Sequence, residues 1–142
     1  MQNVLEQVRC FHRAIGAPVA TVPTLLSLDH DHARKVATQL REMVLDCRSH
    51  ATNRHDLSAR LALSLEETAE WIEAHLSRDL IAVADALGDR MYVLVGDAVA
   101  GGCPLNEVFD AVHVSNMTKV HGRLDGYGKA LKGNEYRPPQ WP

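Results

Sequence analysis

The chain has 142 residues, the length of one ordinary domain built around a single hydrophobic core. Its 46% hydrophobic and 23% charged residues exclude a wholly disordered chain, and a net charge of -3 gives no electrostatic case for a nucleic-acid polymer as partner. No run approaches the roughly 18 uninterrupted apolar residues of a membrane span.

The opening MQNVLEQVRC lacks the basic-then-apolar order of a signal peptide, so a cytoplasmic protein is expected. Cys10, Cys47 and Cys103 are odd in number and form no CxxC pair, which indicates neither a disulfide framework nor a thiolate zinc site. Val4, Leu5, Val8 and Phe11 recur at helical spacing and predict a first helix ending near Gly16 and Pro18. Residues 16–28 form a connector. Asp29 caps a second helix, whose Ala33, Val36, Ala37, Leu40, Met43, Val44 and Cys47 make one buried stripe, ending near His50 to Asn53.

Asp56 or Ser58 opens a third helix with the stripe Leu57, Leu61, Leu65, Ala69, Ile72 and Leu76. Leu63 and Trp71 fall on either side of Glu67, away from that stripe, so this helix should touch two neighbours. The fourth helix, roughly Asp79 to Val99, is apolar almost all round and is expected to be central. Gly101 and Gly102 stop it, and Pro104 opens a fifth helix with Leu105, Val108, Phe109 and Val112. From Gly122 onward, repeated glycine and proline describe an irregular tail, wrapped on the helices or ordered by something bound. The expectation is a single all-α domain of about five helices, divided into N-terminal helices (1–55), catalytic helices (56–120) and tail (121–142).

Glu66, Glu67 and Glu70 form EExxE on the third helix, where spacings of three and four turn all three carboxylates to one side. Alone, such a cluster reads as a solvated acidic face. Asp85 and Asp89 add weight, because aspartate gains nothing from helix propensity inside so apolar a helix. The line Asp85, Asp89, Tyr92, Gly96 is therefore expected to be buried against a pocket. If the third and fourth helices pack antiparallel through a turn near Ser77 to Asp79, up to five carboxylates share one site. Oxygen-only ligation suits Mg2+ or Mn2+, and magnesium held by few carboxylates takes further ligands from water and phosphate. The implied substrate carries a di- or triphosphate.

EETAE at 66–70 followed by DALGDRMYVLVGDAVAGG at 85–102 resembles the all-α nucleotide pyrophosphohydrolase superfamily, which groups the MazG proteins, dimeric dUTPases and phosphoribosyl-ATP pyrophosphohydrolases. EVFDAVHVSNMTKVHGRLDGYGKALKGNEYRPP at 107–139, with its VHxSNMxK helix and GKxxKG tail, looks like the closing segment of the phosphoribosyl-ATP pyrophosphohydrolase-like branch. The resemblance spans residues 57–139. It implies a MazG-like helical bundle in which an EExxE motif and a later ExxD motif bind metal, and a metal-activated water splits a nucleoside triphosphate into monophosphate and pyrophosphate. Glu66, Glu67, Glu70 and Asp89 match by type. The ExxD glutamate falls at position 86, which is Ala86, while the available acid is Asp85, about 100° round the helix.

On this reading Glu66 or Glu67 takes the proton of the attacking water. Lys119, Lys129, Lys132 and Arg137 are candidates to neutralise the phosphates, the resemblance favouring Lys119 and Lys129. His113 and Asn116, one turn apart, either contact the substrate or bridge helices, and Tyr92 either stacks on a base or packs. A normal or damaged deoxynucleoside triphosphate, dUTP, dCTP and phosphoribosyl-ATP all satisfy the phosphate argument. The apolar surplus of the third and fourth helices implies a homodimer or homotetramer. Rival readings are a non-catalytic helical nucleotide- or metal-binding or oligomerisation protein with a degenerate site, and a two-metal phosphatase releasing orthophosphate. The HD pairs at His30 and His55 rank lower, since His30 and His32 cannot share a helical face, and no Glu-x-x-His pair supports a di-iron bundle.

Overall fold

Three aspartates set where the central helices begin. Asp29 accepts from the His32 amide, Asp56 from the Ala59 amide, and Asp79 from the Ile81 and Ala82 amides, each satisfying donors that a helix start leaves open. Asp56 also accepts from the Thr52 amide and hydroxyl, and these bonds to the carboxylate, with that from Ala59 first, hold its pKa at about 2.

The computed structural model of the chain describes residues 2–141, with side chains from residue 4. Among these it has five helices: α1 (Gln2–Ile15), α2 (His30–His50), α3 (Leu57–Leu76), α4 (Leu80–Gly101) and α5 (Leu105–Met117). The fold is all-α, as the periodicity predicts. The described residues contain no strand beyond an isolated bridge between Leu124 and Ala130, and no helix long and apolar enough to cross a membrane. The chain forms two compact units, Val22–Gly102 and Met1–Thr21 with Cys103–Pro142.

In the first of these, α3 lies between α2 and α4. Arg41 meets Glu73 and Arg48 meets Glu66, while Arg60 meets Asp97 and Arg90 meets Trp71, so α3 runs antiparallel to both neighbours. The link to α4 is short because Arg78 adopts a left-handed conformation, φ 59°, and turns the chain within three residues. Gly102, φ 65°, ends α4 with its amide on the Ala98 and Val99 carbonyls, a conformation glycine takes without penalty.

The packed seam is made of small side chains: Ala37 and Val44 of α2, Ala62, Ala69 and Ala74 of α3, and Val83 and Ala86 of α4. These let the three backbones approach closely. Two sequence expectations are corrected here. It is α3, not α4, that is central, because its two apolar directions are both covered, whereas α4 packs chiefly on α3 and leaves Ile81 at 83% and Val99 at 77% exposure. The α3 stripe is also incomplete at its start, where Leu57 is 80% exposed.

In the second unit α1 packs on α5, with Gln7 donating to Asp110 at 2.8 Å. The tail is tied back to α5: Ser115 donates to the Arg137 carbonyl and the Arg137 amide donates to Thr118. Gly122 is required there, since a Cβ would lie 2.8 Å from the Leu131 carbonyl oxygen.

Candidate active site

The acids of α3 divide between its two neighbours. Glu66, Glu70 and Glu73, at spacings of four and three, face α2. Arg41 forks onto Glu73, with Nε 3.0 Å from Oε1 and Nη2 2.6 Å from Oε2. The same guanidinium lies 3.6 Å from Glu70 and 3.9 Å from Glu66, and Arg48 binds Glu66 at 2.7 Å. The hydrogen bond to Glu73, followed by the charges of Glu73, Glu70 and Glu66, strengthens the hold of Arg41 on its proton.

Glu67 is different. It is half-buried, and its Oε2 is buried without a hydrogen-bond partner among the described residues. Burial first, and then the charges of Glu70, Asp89 and Glu66, raise its pKa above the usual carboxylate value, with Arg41 opposing. Antiparallel packing thus brings Asp89 of α4 within electrostatic range of EExxE, as the helix spacing predicts.

The rest of the predicted α4 line departs from expectation. Asp85 and Asp89 are exposed rather than buried, and Tyr92 is 82% exposed, so neither Asp85 nor Tyr92 walls a pocket. The reason is the angle at which α4 meets α3. The face carrying Val83 and Ala86 is turned inward, and Asp85, about 100° away from Ala86, is turned out. Ala86, at the position of the ExxD glutamate, is only 5% exposed. Gly96, the last residue of that line, accommodates Arg60: a Cβ would stand 2.8 Å from its guanidinium, which bonds Asp97 at 2.6 Å and the Val93 carbonyl at 3.1 Å.

Within the other unit, Lys119 bonds Asn116 at 2.6 Å, and Lys119 and Lys132 flank the Tyr136 ring at 5.5 and 4.7 Å. Asn116, Lys119 and Lys132 therefore come together. Lys129 is exposed, its amide held by Asp125, and His113 is half-buried on α5.

Among the described residues no three His, Cys, Asp or Glu side chains converge as a finished metal cage. The donor chemistry nevertheless fits a hard cation: an unpartnered Glu67 oxygen, like charges from Asp89, Glu66 and Glu70 around it, and oxygen donors throughout. Arg41 and Arg48 supply the positive charge that balances Glu66 and Glu70 as the side chains stand.

The sequence model of the phosphoribosyl-ATP pyrophosphohydrolase family matches residues 46–116, half of the chain. This chain belongs to that family. No curated protein and no solved structure gives a significant match. Membership of the phosphoribosyl-ATP pyrophosphohydrolase family, within the MazG-like superfamily, supports a hydrolase of pyrophosphohydrolase type. The matched span holds every candidate carboxylate and ends at Asn116, so Lys119, Lys129 and Lys132 lie beyond it.

Sequence reasoning missed Glu73, Arg41 and Arg48. Their signal is a spacing: Arg41 and Arg48 are seven apart, as are Glu66 and Glu73, so two antiparallel helices bring both pairs into register. That signal becomes readable only once α2 is known to pack on the acidic face.

Proposed function

We propose that this protein hydrolyses a nucleoside triphosphate, or a phosphoribosyl-nucleotide such as phosphoribosyl-ATP, to the monophosphate and pyrophosphate. The observation that carries the proposal is Glu67: a half-buried carboxylate of EExxE with a free oxygen and a proton affinity raised by burial and by the charges of Glu70, Asp89 and Glu66. In the reaction water adds through oxygen to the α-phosphorus, the bond from that phosphorus to the bridging oxygen breaks, and pyrophosphate leaves. Glu67 accepts the proton of the attacking water, since a carboxyl with a raised pKa is the better base of the two candidates and Glu66 is already engaged by Arg48 in an ion pair.

Glu66, Glu70 and Asp89 would hold Mg2+, or Mn2+ in its place, with Asp85 reaching it through water. Such an ion, when bound, polarises phosphoryl oxygens and acidifies water. Lys119, Lys129 and Lys132, with His113 and Asn116, are proposed to bind substrate. The reading includes self-association as a homodimer or homotetramer. Leu80, Leu87, Met91, Leu94, Val95, Ile81 and Val99 cover more than a third of the circumference of α4, all exposed, and a second copy would cover them.

The test is a nucleotide panel that includes phosphoribosyl-ATP, with Mg2+ or Mn2+, separating pyrophosphate from orthophosphate. Pyrophosphate release that Glu67→Gln and Asp89→Asn abolish is the expected result, and orthophosphate release would point to a phosphatase. The arginine bridges favour a second reading, in which the acids of α3 only join α2 to α3 and the protein is not a catalyst. Folded protein inert on the whole panel with both metals would select it.

A further inference from the structure

α2 lays the line Ala37, Arg41, Val44, Arg48 against α3, at spacings of four, three and four, with Ala37 and Val44 buried. Positions on such a line are ordinarily apolar, so two arginines there mark a seam that keeps positive charge beside Glu66, Glu70 and Glu73.

The two arginines are held in different ways. Arg41 forks onto Glu73 through Nε and Nη2, and Glu73 stands outside the proposed metal ligands, so Arg41 keeps a partner whatever becomes of Glu66 and Glu70. Arg48 has one partner among the described residues, Glu66, which it reaches through Nη2 alone at 2.7 Å. Its side chain is the more exposed of the two. Glu66, by contrast, has only 24% of its side chain exposed and is one of the proposed ligands. A guanidinium therefore occupies the carboxylate that a bound ion would need.

The two cations conflict. With a metal–oxygen bond of roughly 2.1 Å, Mg2+ on the Glu66 oxygen that Arg48 binds would lie within about 5 Å of the guanidinium nitrogen, and like charges so close in a partly buried site repel. A phosphate resolves the conflict. A phosphate oxygen on the same ion is separated from the Glu66 oxygen by two metal–oxygen bonds at most, roughly 4 Å, so Arg48 reaches it by rotating about its own side-chain bonds. Guanidinium also suits phosphate as well as it suits carboxylate, with the same planar fork.

We propose that Arg48 is a transferable counter-ion: it neutralises Glu66 in the metal-free protein, gives up that carboxylate when Mg2+ binds, and takes a phosphate oxygen of the substrate, while Arg41 stays on Glu73. The proposal rests on the pyrophosphohydrolase reading above and adds a substrate-binding arginine from α2. It also makes the binding of metal and of phosphate reinforce each other, since each relieves a charge that the other leaves unbalanced.

The experiment follows the Nε–Hε signals of Arg41 and Arg48 by NMR in the full chain, as Mg2+ alone and then Mg2+ with inorganic pyrophosphate is added, and measures both affinities by calorimetry. Mg2+ is expected to shift the Arg48 signal and pyrophosphate to shift it again, with Arg41 in place throughout. Arg48→Met is expected to bind Mg2+ alone at least as tightly as wild type, yet to bind pyrophosphate in the presence of Mg2+ roughly ten- to hundredfold more weakly, the scale of a lost charged hydrogen bond. Arg48→Lys, a point charge without the fork, should recover part of that loss. A bridge that only joined α2 to α3 would leave the pyrophosphate affinity of Arg48→Met unchanged. That result, or an Arg48 signal that either addition leaves unmoved, overturns the proposal, and the second needs no variant. Transfer of Arg48 without pyrophosphate release from any nucleotide would sink the hydrolase reading and keep the exchange. Pyrophosphate release with an unmoved Arg48 would do the reverse.

Discussion

Replacing Glu67 by Gln separates the electrostatics of the site from its chemistry. In the metal-free protein, Glu67 is a half-buried carboxylate with an unpartnered oxygen among Glu66, Glu70 and Asp89. Its pKa is raised above the ordinary 4.5, first by burial. The protonated form therefore contributes stability that is complete below that ordinary value and is lost as pH rises through the folded-state pKa. Gln is nearly isosteric and carries no charge. Removing an unsatisfied charged acceptor of this kind should stabilise the folded protein by on the order of 1 kcal/mol at neutral pH, or roughly 4–8 °C for a unit of this size. The gap between variant and wild type should be smallest near pH 4, widen as pH rises through the Glu67 titration and then stay constant, because every other group titrates in both proteins. With Mg2+ the order reverses: a wild type that binds the ion gains about 2.7 kcal/mol at a hundredfold excess over Kd, and the variant gains less. Turnover of the variant should fall roughly 10²–10⁴-fold, the range for losing a general base. Calorimetric melts from pH 4 to 8, with and without Mg2+, together with pyrophosphate release, read all of this. A variant less stable than wild type at every pH, or one with full turnover, would refute the reasoning.

Arg41→Met removes the fork on Glu73 and leaves the acids of α3 without their shared cation. Because the arginine side chain is 37% exposed, the loss should be only about 1 kcal/mol in urea unfolding, and should shrink in high salt; an unchanged midpoint would deny the bridge any role in joining α2 to α3. Ala86→Glu restores the carboxylate that the ExxD pattern implies, at a position only 5% exposed. It should cost roughly 1–3 kcal/mol without metal and make the melting temperature respond more steeply to Mg2+, so a melt identical to wild type in both conditions would contradict the assignment. Light scattering should find a dimer or tetramer that Leu94→Lys with Val99→Lys breaks into monomers. A wild type that stays monomeric when concentrated would refute self-association through α4.

Helix positions were legible because their determinants are local. Apolar spacing placed the five helices, Asp29 and Asp56 announced their caps, and the glycine pair at 101 and 102 announced a stop. The doublet character of α3 was legible too, since Leu63 and Trp71 stood off its main stripe. The layer order was not, because hydropathy records how much apolar surface a helix carries and not which neighbour covers it. The all-round apolar α4 accordingly looked central while most of its surface stands open. The same limit explains Asp85 and Tyr92: their burial was inferred from the company they keep in sequence, and the rotation of α4 about its own axis turns them outward.

The order of residues by itself determined an all-α chain, the carboxylates of EExxE on the third helix, and an antiparallel fourth helix joined to it by a short turn. Only tertiary structure decided that Glu67 carries a buried, unpartnered oxygen, that arginines of α2 bind Glu66 and Glu73, and that Trp71 Nε1 and His75 Nε2 are buried without partners among the described residues. The physical reason is reach: capping and periodicity act over one or two turns, whereas desolvation, ion pairing and the satisfaction of a ring nitrogen depend on whatever distant segment packs alongside.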